Sequence, residues 1–263
     1  MLTAERLRTV KRSLEDTLCG NRVVFHHVPK TGGTSIFSAL RRRYAISYAS
    51  FDLVHIYSAI ETLYPDDDQD AILRRTLRFR EEQLLWYMFA DRRCIVVDTP
   101  FSDVAYDRFN ERYNFVTVLR EPVSFFISTF FWNVNSAEDR WQIQQPPEEF
   151  VETPRARIFG QFYARFFRGL SVDEDAPVET MIERAKENLS RFAAVGLTED
   201  MAGFSRRLSG ALDVRIRIGH ENKSKVARPD RERLLAPEVR RRIEDISAPN
   251  IELYEFARSR LAG

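Results

Sequence analysis

Two adjacent glycines, Gly32 and Gly33, stand between an apolar run and an amphipathic one, and that junction restricts the fold more than any other feature of the chain. Val23, Val24, Phe25 and Val28 suit a short buried strand, whereas Ile36, Phe37, Ala39 and Leu40 recur at helical spacing, with Thr34 or Ser35 expected as N-cap. A strand that turns through glycines into a helix lets the backbone approach a ligand, take positive φ and aim the first free N–H groups of the helix at it. The helix dipole adds partial positive charge at the same end, so the expected ligand is an anion. Lys30 supplies a mobile cation, and Thr31, Thr34 and Ser35 supply hydroxyl donors. A ligand-free Gly-Gly turn is the plainer alternative, and the lysine and hydroxyls weigh against it.

The order of residues narrows the kind of anion. The common nucleotide cradle, G-x-x-x-x-G-K-[ST], has its lysine after the glycines, whereas Lys30 precedes Gly32 and Gly33 here. That order argues against an ordinary ATP or GTP site. A second strand-to-helix junction follows in Phe115-Val116-Thr117-Val118-Leu119-Arg120-Glu121-Pro122. Pro122 suits the first turn of a helix, which leaves Arg120 at the carboxyl end of the strand, where ligands bind in open α/β sheets. Ser128 lies about two helical turns further on and can return its hydroxyl to the same anion. An arginine fork with a serine makes a second phosphate site, although each residue alone would read as a surface ion pair and a helix-face hydroxyl.

Together the two segments resemble the paired cofactor motifs of the carbohydrate sulfotransferase family that includes the heparan sulfate 2-O-sulfotransferases, whose donor is 3′-phosphoadenosine 5′-phosphosulfate (PAPS). Phe101-Ser102-Asp103-Val104-Ala105-Tyr106, Pro147 to Val151, Val195 to Glu199 and Leu253 to Ala257 are similar to further stretches of that family, so the likeness spans most of the chain. The resemblance implies that Lys30 contacts the bridging oxygen and sulfonate, that Thr31, Gly32, Gly33, Thr34 and Ser35 surround the 5′-phosphate, and that Arg120 and Ser128 hold the 3′-phosphate. Asn222-Lys223-Ser224-Lys225 resembles the loop that closes over the 3′-phosphate, which makes Lys223 and Lys225 further cofactor contacts. Thr198 either caps a helix or lines the adenine pocket. The implied reaction transfers a sulfonate to a hydroxyl, or an amine, of a carbohydrate or small-molecule acceptor, releases 3′-phosphoadenosine 5′-phosphate (PAP), and in principle needs no metal.

One departure from the family pattern bears on the chemistry. Where many members have a Gly-His pair before Pro-Phe, with the histidine as general base, this chain reads Val97-Asp98-Thr99-Pro100-Phe101. Asp98 can serve as the base if burial or a second carboxylate raises its pKa from about 3.9, or it can be a strand-end cap. The chain has four histidines. Alternation along a strand sends His26 and His27 to opposite faces; His27 is read as structural or cofactor-adjacent. His55 enters the acceptor site or is satisfied by backbone groups, and His220 meets a phosphate or solvent. The missing histidine keeps a non-catalytic nucleotide- or glycan-binding protein as the alternative, ahead of a P-loop kinase.

The rest of the chain agrees with an α/β, P-loop-like three-layer fold, with a mainly parallel central sheet flanked by helices. Strands are expected near 22–28, 93–97, 115–119, 192–195 and 214–218. With 263 residues, 44% of them hydrophobic, and no Pro-, Gly- or Ser-rich linker, residues 1–263 read as one domain. A helix from about Asp66 to Phe89 opens on Asp66, Asp67, Asp68 and Asp70, which the helix dipole explains better than a metal site does. Trp132, Trp141, Phe150, Phe159, Phe162, Tyr163, Phe166 and Phe167 form a ring-rich stretch. Trp141, beside Arg140, is the best candidate there for an acceptor contact, while Phe159 to Phe167 recur at helical spacing and suit core or an oligomer face.

A net charge of +1 excludes the global field of a nucleic-acid binder. Between Gly203 and Arg242, however, twelve Lys and Arg face five Asp and Glu. Two cysteines, Cys19 and Cys94, suggest neither zinc nor a disulfide framework. Met1 to Arg12 is charged and no run of about 18 apolar residues occurs, so a cytoplasmic protein without a membrane span is expected.

Overall fold

The computed structural model describes residues 9–10, 13–15, 19–51, 53–136, 139–219 and 236–262. His220, Lys223 and Lys225 lie outside the described residues. The elements run β1 (Val23–His26), α1 (Gly33–Arg43), β2 (Tyr48–Ser50), α2 (Leu53–Leu63), α3 (Gln69–Phe89), β3 (Cys94–Val97), α4 (Asp103–Phe109), β4 (Asn114–Leu119) and α5 (Pro122–Val134). A 3₁₀ turn (Asp139–Trp141) leads to α6 (Pro147–Phe150), α7 (Pro154–Gly160), α8 (Phe162–Phe167), α9 (Val178–Ser190) and β5 (Ala194–Leu197). A second 3₁₀ turn (Thr198–Asp200) precedes α10 (Met201–Leu212), and α11 (Pro237–Ile246) and α12 (Ala248–Ala262) follow.

The five strands form one parallel sheet in the order β2-β3-β1-β4-β5. The fold is three-layer α/β. Alternation along β1 assigns the layers: Val24 belongs to the core under α2, α3, α4, α8, α9 and α12, while Val23 and Phe25 belong to the core under α1 and α10. Burial on both faces explains why β1, β3 and β4 read as continuous apolar runs. A third cluster joins α5, α6, α7 and α11 around Phe126, Phe130 and Phe150. The chain leaves β1 toward β2 and β3, then crosses to β4 on the other side of β1. The crevice above the carboxyl ends of β1 and β4 is therefore the topological switch point of the sheet.

Several expectations change. β2 joins the sheet although Tyr48–Ser50 has no apolar run. Residues 214–218 form no strand: the Ile216 carbonyl accepts from Ser205 Oγ at 2.6 Å and its N–H donates to Ser209 Oγ at 3.0 Å, so hydroxyls of α10 satisfy the backbone that a sheet neighbour would have satisfied. α1 is capped by Gly32 rather than by Thr34 or Ser35. The acidic run before α3 acts locally, with Asp68 accepting from Ala71 N at 2.8 Å and Asp67 paired with Arg75 at 2.5 Å. Phe159, Tyr163, Phe166 and Phe167 are core, as their spacing suggested. Cys19 and Cys94 are buried and form no disulfide among the described residues. Among the described residues no helix is long and apolar enough to cross a membrane.

Candidate functional site

The turn after β1 is shaped for close approach. Gly32 has φ 83° and forms the N-cap of α1, and no side-chain cap is made there among the described residues. A Cβ on Gly33 would lie 2.1 Å from His27 Nε2, which explains the second glycine by space rather than by backbone angle. Lys30 itself has φ 67°, a conformation that costs a non-glycine residue about 1–3 kcal/mol. The surroundings hold it there. Arg120 Nη1 donates to the Lys30 carbonyl at 3.1 Å, the Thr31 hydroxyl donates to the Val28 carbonyl at 2.7 Å, and Ser35 N–H donates to the Gly32 carbonyl at 3.2 Å. Thr31 is fully buried and Ser35 nearly so, and Thr34 is exposed at the mouth. Thr31 thus shapes the loop from within instead of lining it.

The turn after β4 is built differently. Pro122 opens α5 as expected, but the Glu121 carboxylate accepts from Val123 N at 3.0 Å and Ser124 N at 2.8 Å, so this helix start carries its own anion. Arg120 sits directly after β4 with its backbone clamped by the buried Tyr163 hydroxyl, which accepts from Arg120 N at 3.1 Å and donates to the Arg120 carbonyl at 2.7 Å. Burial raises the Tyr163 phenol far above its ordinary pKa, so it remains a donor. Thr198 does not cap a helix: its hydroxyl donates to the Leu119 carbonyl at 3.0 Å, with the Thr31 carbonyl 3.4 Å away, which ties β5 to both turns. Glu199 completes the frame, accepting from Glu121 N at 3.0 Å and from the Tyr254 hydroxyl at 3.1 Å.

Two cations therefore meet at the switch point. Burial lowers the Lys30 pKa, and the Arg120 guanidinium lowers it further. A half-buried ammonium beside a guanidinium is stabilised by an external anion, and the start of α1, with its N-cap Gly32 two residues further along the chain, offers backbone donors for one. Lys30 Nζ lies 5.8 Å from the centroid of Trp132. Ser128 stands one turn before Trp132 in α5, hence on the same helix face.

His26 and His27 diverge as their alternation predicts. His26 is fully buried among Phe101, Phe115, Phe166 and Phe192, and desolvation pushes its pKa down to about 4. His27 lies against Phe37 and Gly33, and its Nδ1 is hydrogen-bonded to an Asp98 carboxylate oxygen. Asp98 follows β3 as His27 follows β1, and the parallel pairing of those strands brings the two together. Asp98 is thus no strand-end cap but half of a His–Asp pair. The carbonyl of Asp98 accepts from Arg80 Nη1 of α3 at 3.2 Å. Burial lowers the Arg80 pKa to about 10, which leaves its charge intact at neutral pH. His55 stands exposed on α2.

The sequence did not identify His27 as the partner of Asp98, nor Arg80, Tyr163 and Glu199 as supports. Each acts across a long separation in the chain, and only the paired motifs that flank them were visible. Trp141 is placed beside Tyr57 of α2, with ring centroids 5.8 Å apart, at the wall of an open cavity. A scan of protein-family models and a search of curated proteins give no match to this chain.

Proposed function

We propose that the protein is a sulfotransferase that takes a sulfonate group from PAPS and transfers it to a hydroxyl, or an amine, of a carbohydrate or small-molecule acceptor. The observation that carries this reading is the uncapped, glycine-opened start of α1 with Lys30 and Arg120 beside it at the switch point. The residues fit a donor with two separated phosphates. The α1 amides, Gly32, Gly33 and the Thr34 hydroxyl suit the 5′-phosphate, while Arg120, and Ser128 on the Trp132 face of α5, suit the 3′-phosphate. Thr31 and Ser35 support the loop from below, and Thr198 locks it to β4. PAPS supplies the sulfonate.

Lys30 is the one mobile cation of the turn, and it neutralises the charge that grows on the phosphate as the sulfur–oxygen bond breaks. The acceptor oxygen forms the new bond to sulfur, and its proton passes to the His27–Asp98 pair. In that pair the carboxylate fixes the imidazole so that Nε2 faces Gly33, at the base of the cradle. The pair fills the role left open by the histidine absent from position 99. Sulfonate transfer from PAPS to a panel of saccharides and alcohols tests the reading. Lys30→Ala is expected to lower turnover by about 10²–10³-fold, and transfer that survives this change undiminished contradicts the assignment.

A further inference from the structure

We propose that the cavity walled by Tyr57, Tyr64 and Trp141 is the acceptor site, and that it takes an uncharged sugar ring in preference to a polyanionic glycan. The proposal rests on the sulfotransferase reading above and adds the class of acceptor. The cavity measures about 250 Å³, slightly below the usual range of about 300–1,000 Å³ for small-molecule sites, which suits one ring of a saccharide.

Its walls come from three parts of the chain: Tyr57 and Glu61 from α2, Tyr64, Asp67 and Gln69 from the α2–α3 connection and the start of α3, and Arg140 with Trp141 from the first 3₁₀ turn. Each cation at the wall is both stacked and neutralised. The Arg140 guanidinium lies 4.7 Å from the Tyr57 centroid and pairs with Glu61 at 2.9 Å. The Arg75 guanidinium lies 3.7 Å from the Tyr64 centroid and pairs with Asp67 at 2.5 Å. Glu61 and Asp67, the two carboxylates among the described lining residues, are thus each held by a guanidinium, Arg140 or Arg75. A sulfated or carboxylated polymer would have to displace those carboxylates to reach the guanidiniums. A neutral pyranose instead offers C–H faces to the rings and hydroxyls that donate to the carboxylates or accept from the guanidinium.

The cavity is tied to the transfer site on two sides. The Trp141 carbonyl accepts from Arg155 Nη2 at 2.6 Å, and the same nitrogen donates to Asn133 Oδ1 at 2.7 Å. Asn133 is the neighbour of Trp132, the ring over Lys30. On the other side Arg80, which donates to the Asp98 carbonyl, is close enough to Tyr57 for each to perturb the other's ionisation. The walls that such a ring would touch are thus tied through Arg155 and Asn133 to the helix that carries Trp132, and through Arg80 to Asp98.

Tryptophan fluorescence and calorimetric titration test this with neutral disaccharides (maltose, cellobiose, N-acetyllactosamine, chitobiose) against heparin and chondroitin sulfate, with and without saturating PAP. The expected result is binding of at least one neutral disaccharide, weakened about tenfold in Trp141→Ala with PAP affinity unchanged. Glu61→Gln with Asp67→Asn is expected to shift preference toward the polyanions. Binding of polyanions alone, of no neutral disaccharide, or of a neutral disaccharide equally in wild type and Trp141→Ala overturns the proposal. Failure of PAP to bind, with the saccharide result intact, overturns the donor assignment instead.

Discussion

The two helix starts that flank the switch point have nearly the same setting and opposite chemistry. Each follows a central parallel strand, β1 or β4, and each turns into a helix above the same crevice. The start of α5 is closed by its own Glu121 carboxylate, whereas the start of α1 has glycine at its cap and, among the described residues, no side-chain cap. A helix dipole alone therefore does not make an anion site; what matters is whether the protein has already satisfied the terminal N–H groups. The α1 turn adds what an external anion needs, two neighbouring cations whose mutual repulsion its arrival relieves. The α5 turn contributes Arg120 and otherwise serves as scaffold, clamped through Tyr163 and Glu199.

Substitutions that act on one turn and spare the other sharpen this contrast. The largest stability effect belongs to the strand that feeds the α1 turn. His26 is neutral in the fold, with a pKa of about 4 against 6.5 when exposed. Above pH 6.5 neither state carries the proton and the residue costs nothing; as the pH falls from 6.5 toward 4 the unfolded chain takes up the proton first, and stability falls by about 3 kcal/mol. Urea denaturation at pH 7.5, 5.5 and 4.0 measures the loss, and His26→Phe is expected to flatten it. An equally steep acid limb in His26→Phe would assign the effect to other groups.

Gly33→Ala comes next. Its methyl group meets the His27 ring, so the loop or the His27–Asp98 pair must shift, at about 1–3 kcal/mol of stability. PAP affinity is expected to fall with it, whereas a variant with wild-type melting temperature and PAP affinity would show that the contact yields freely. The smallest effect falls on the other turn. Glu121→Ala removes the α5 cap at a cost of about 1 kcal/mol, measured by denaturation. Calorimetry is expected to show PAP affinity within about twofold of wild type, because the α5 start is scaffold; a gain or loss beyond about tenfold would mean that both helix starts bind the donor.

How much of this was legible in the chain depended on whether a feature was local. Strands β1 and β4 announced themselves because burial on both faces makes most of their residues apolar, and the Gly-Gly turn announced itself because backbone geometry and space both demand glycine. Edge strand β2 is three residues long and carries no such run. The apolar alternation at 214–218 looked like a strand because Ile216 is buried, but α10 hydroxyls hold its backbone. The His27–Asp98 pair was invisible because it depends on β1 and β3 being neighbours, a property of strand order that the sequence of either segment does not encode. Arg120 was visible as a strand-end cation, yet its grip on the Lys30 carbonyl was not.

The most direct test is calorimetric titration of PAP, with ATP as control, into wild type and Arg120→Ala. The account predicts binding selective for PAP and a loss of about 2–5 kcal/mol in the variant, since the 3′-phosphate then loses its charged partner. Equal binding of ATP and PAP, or PAP affinity unchanged in Arg120→Ala, would contradict it.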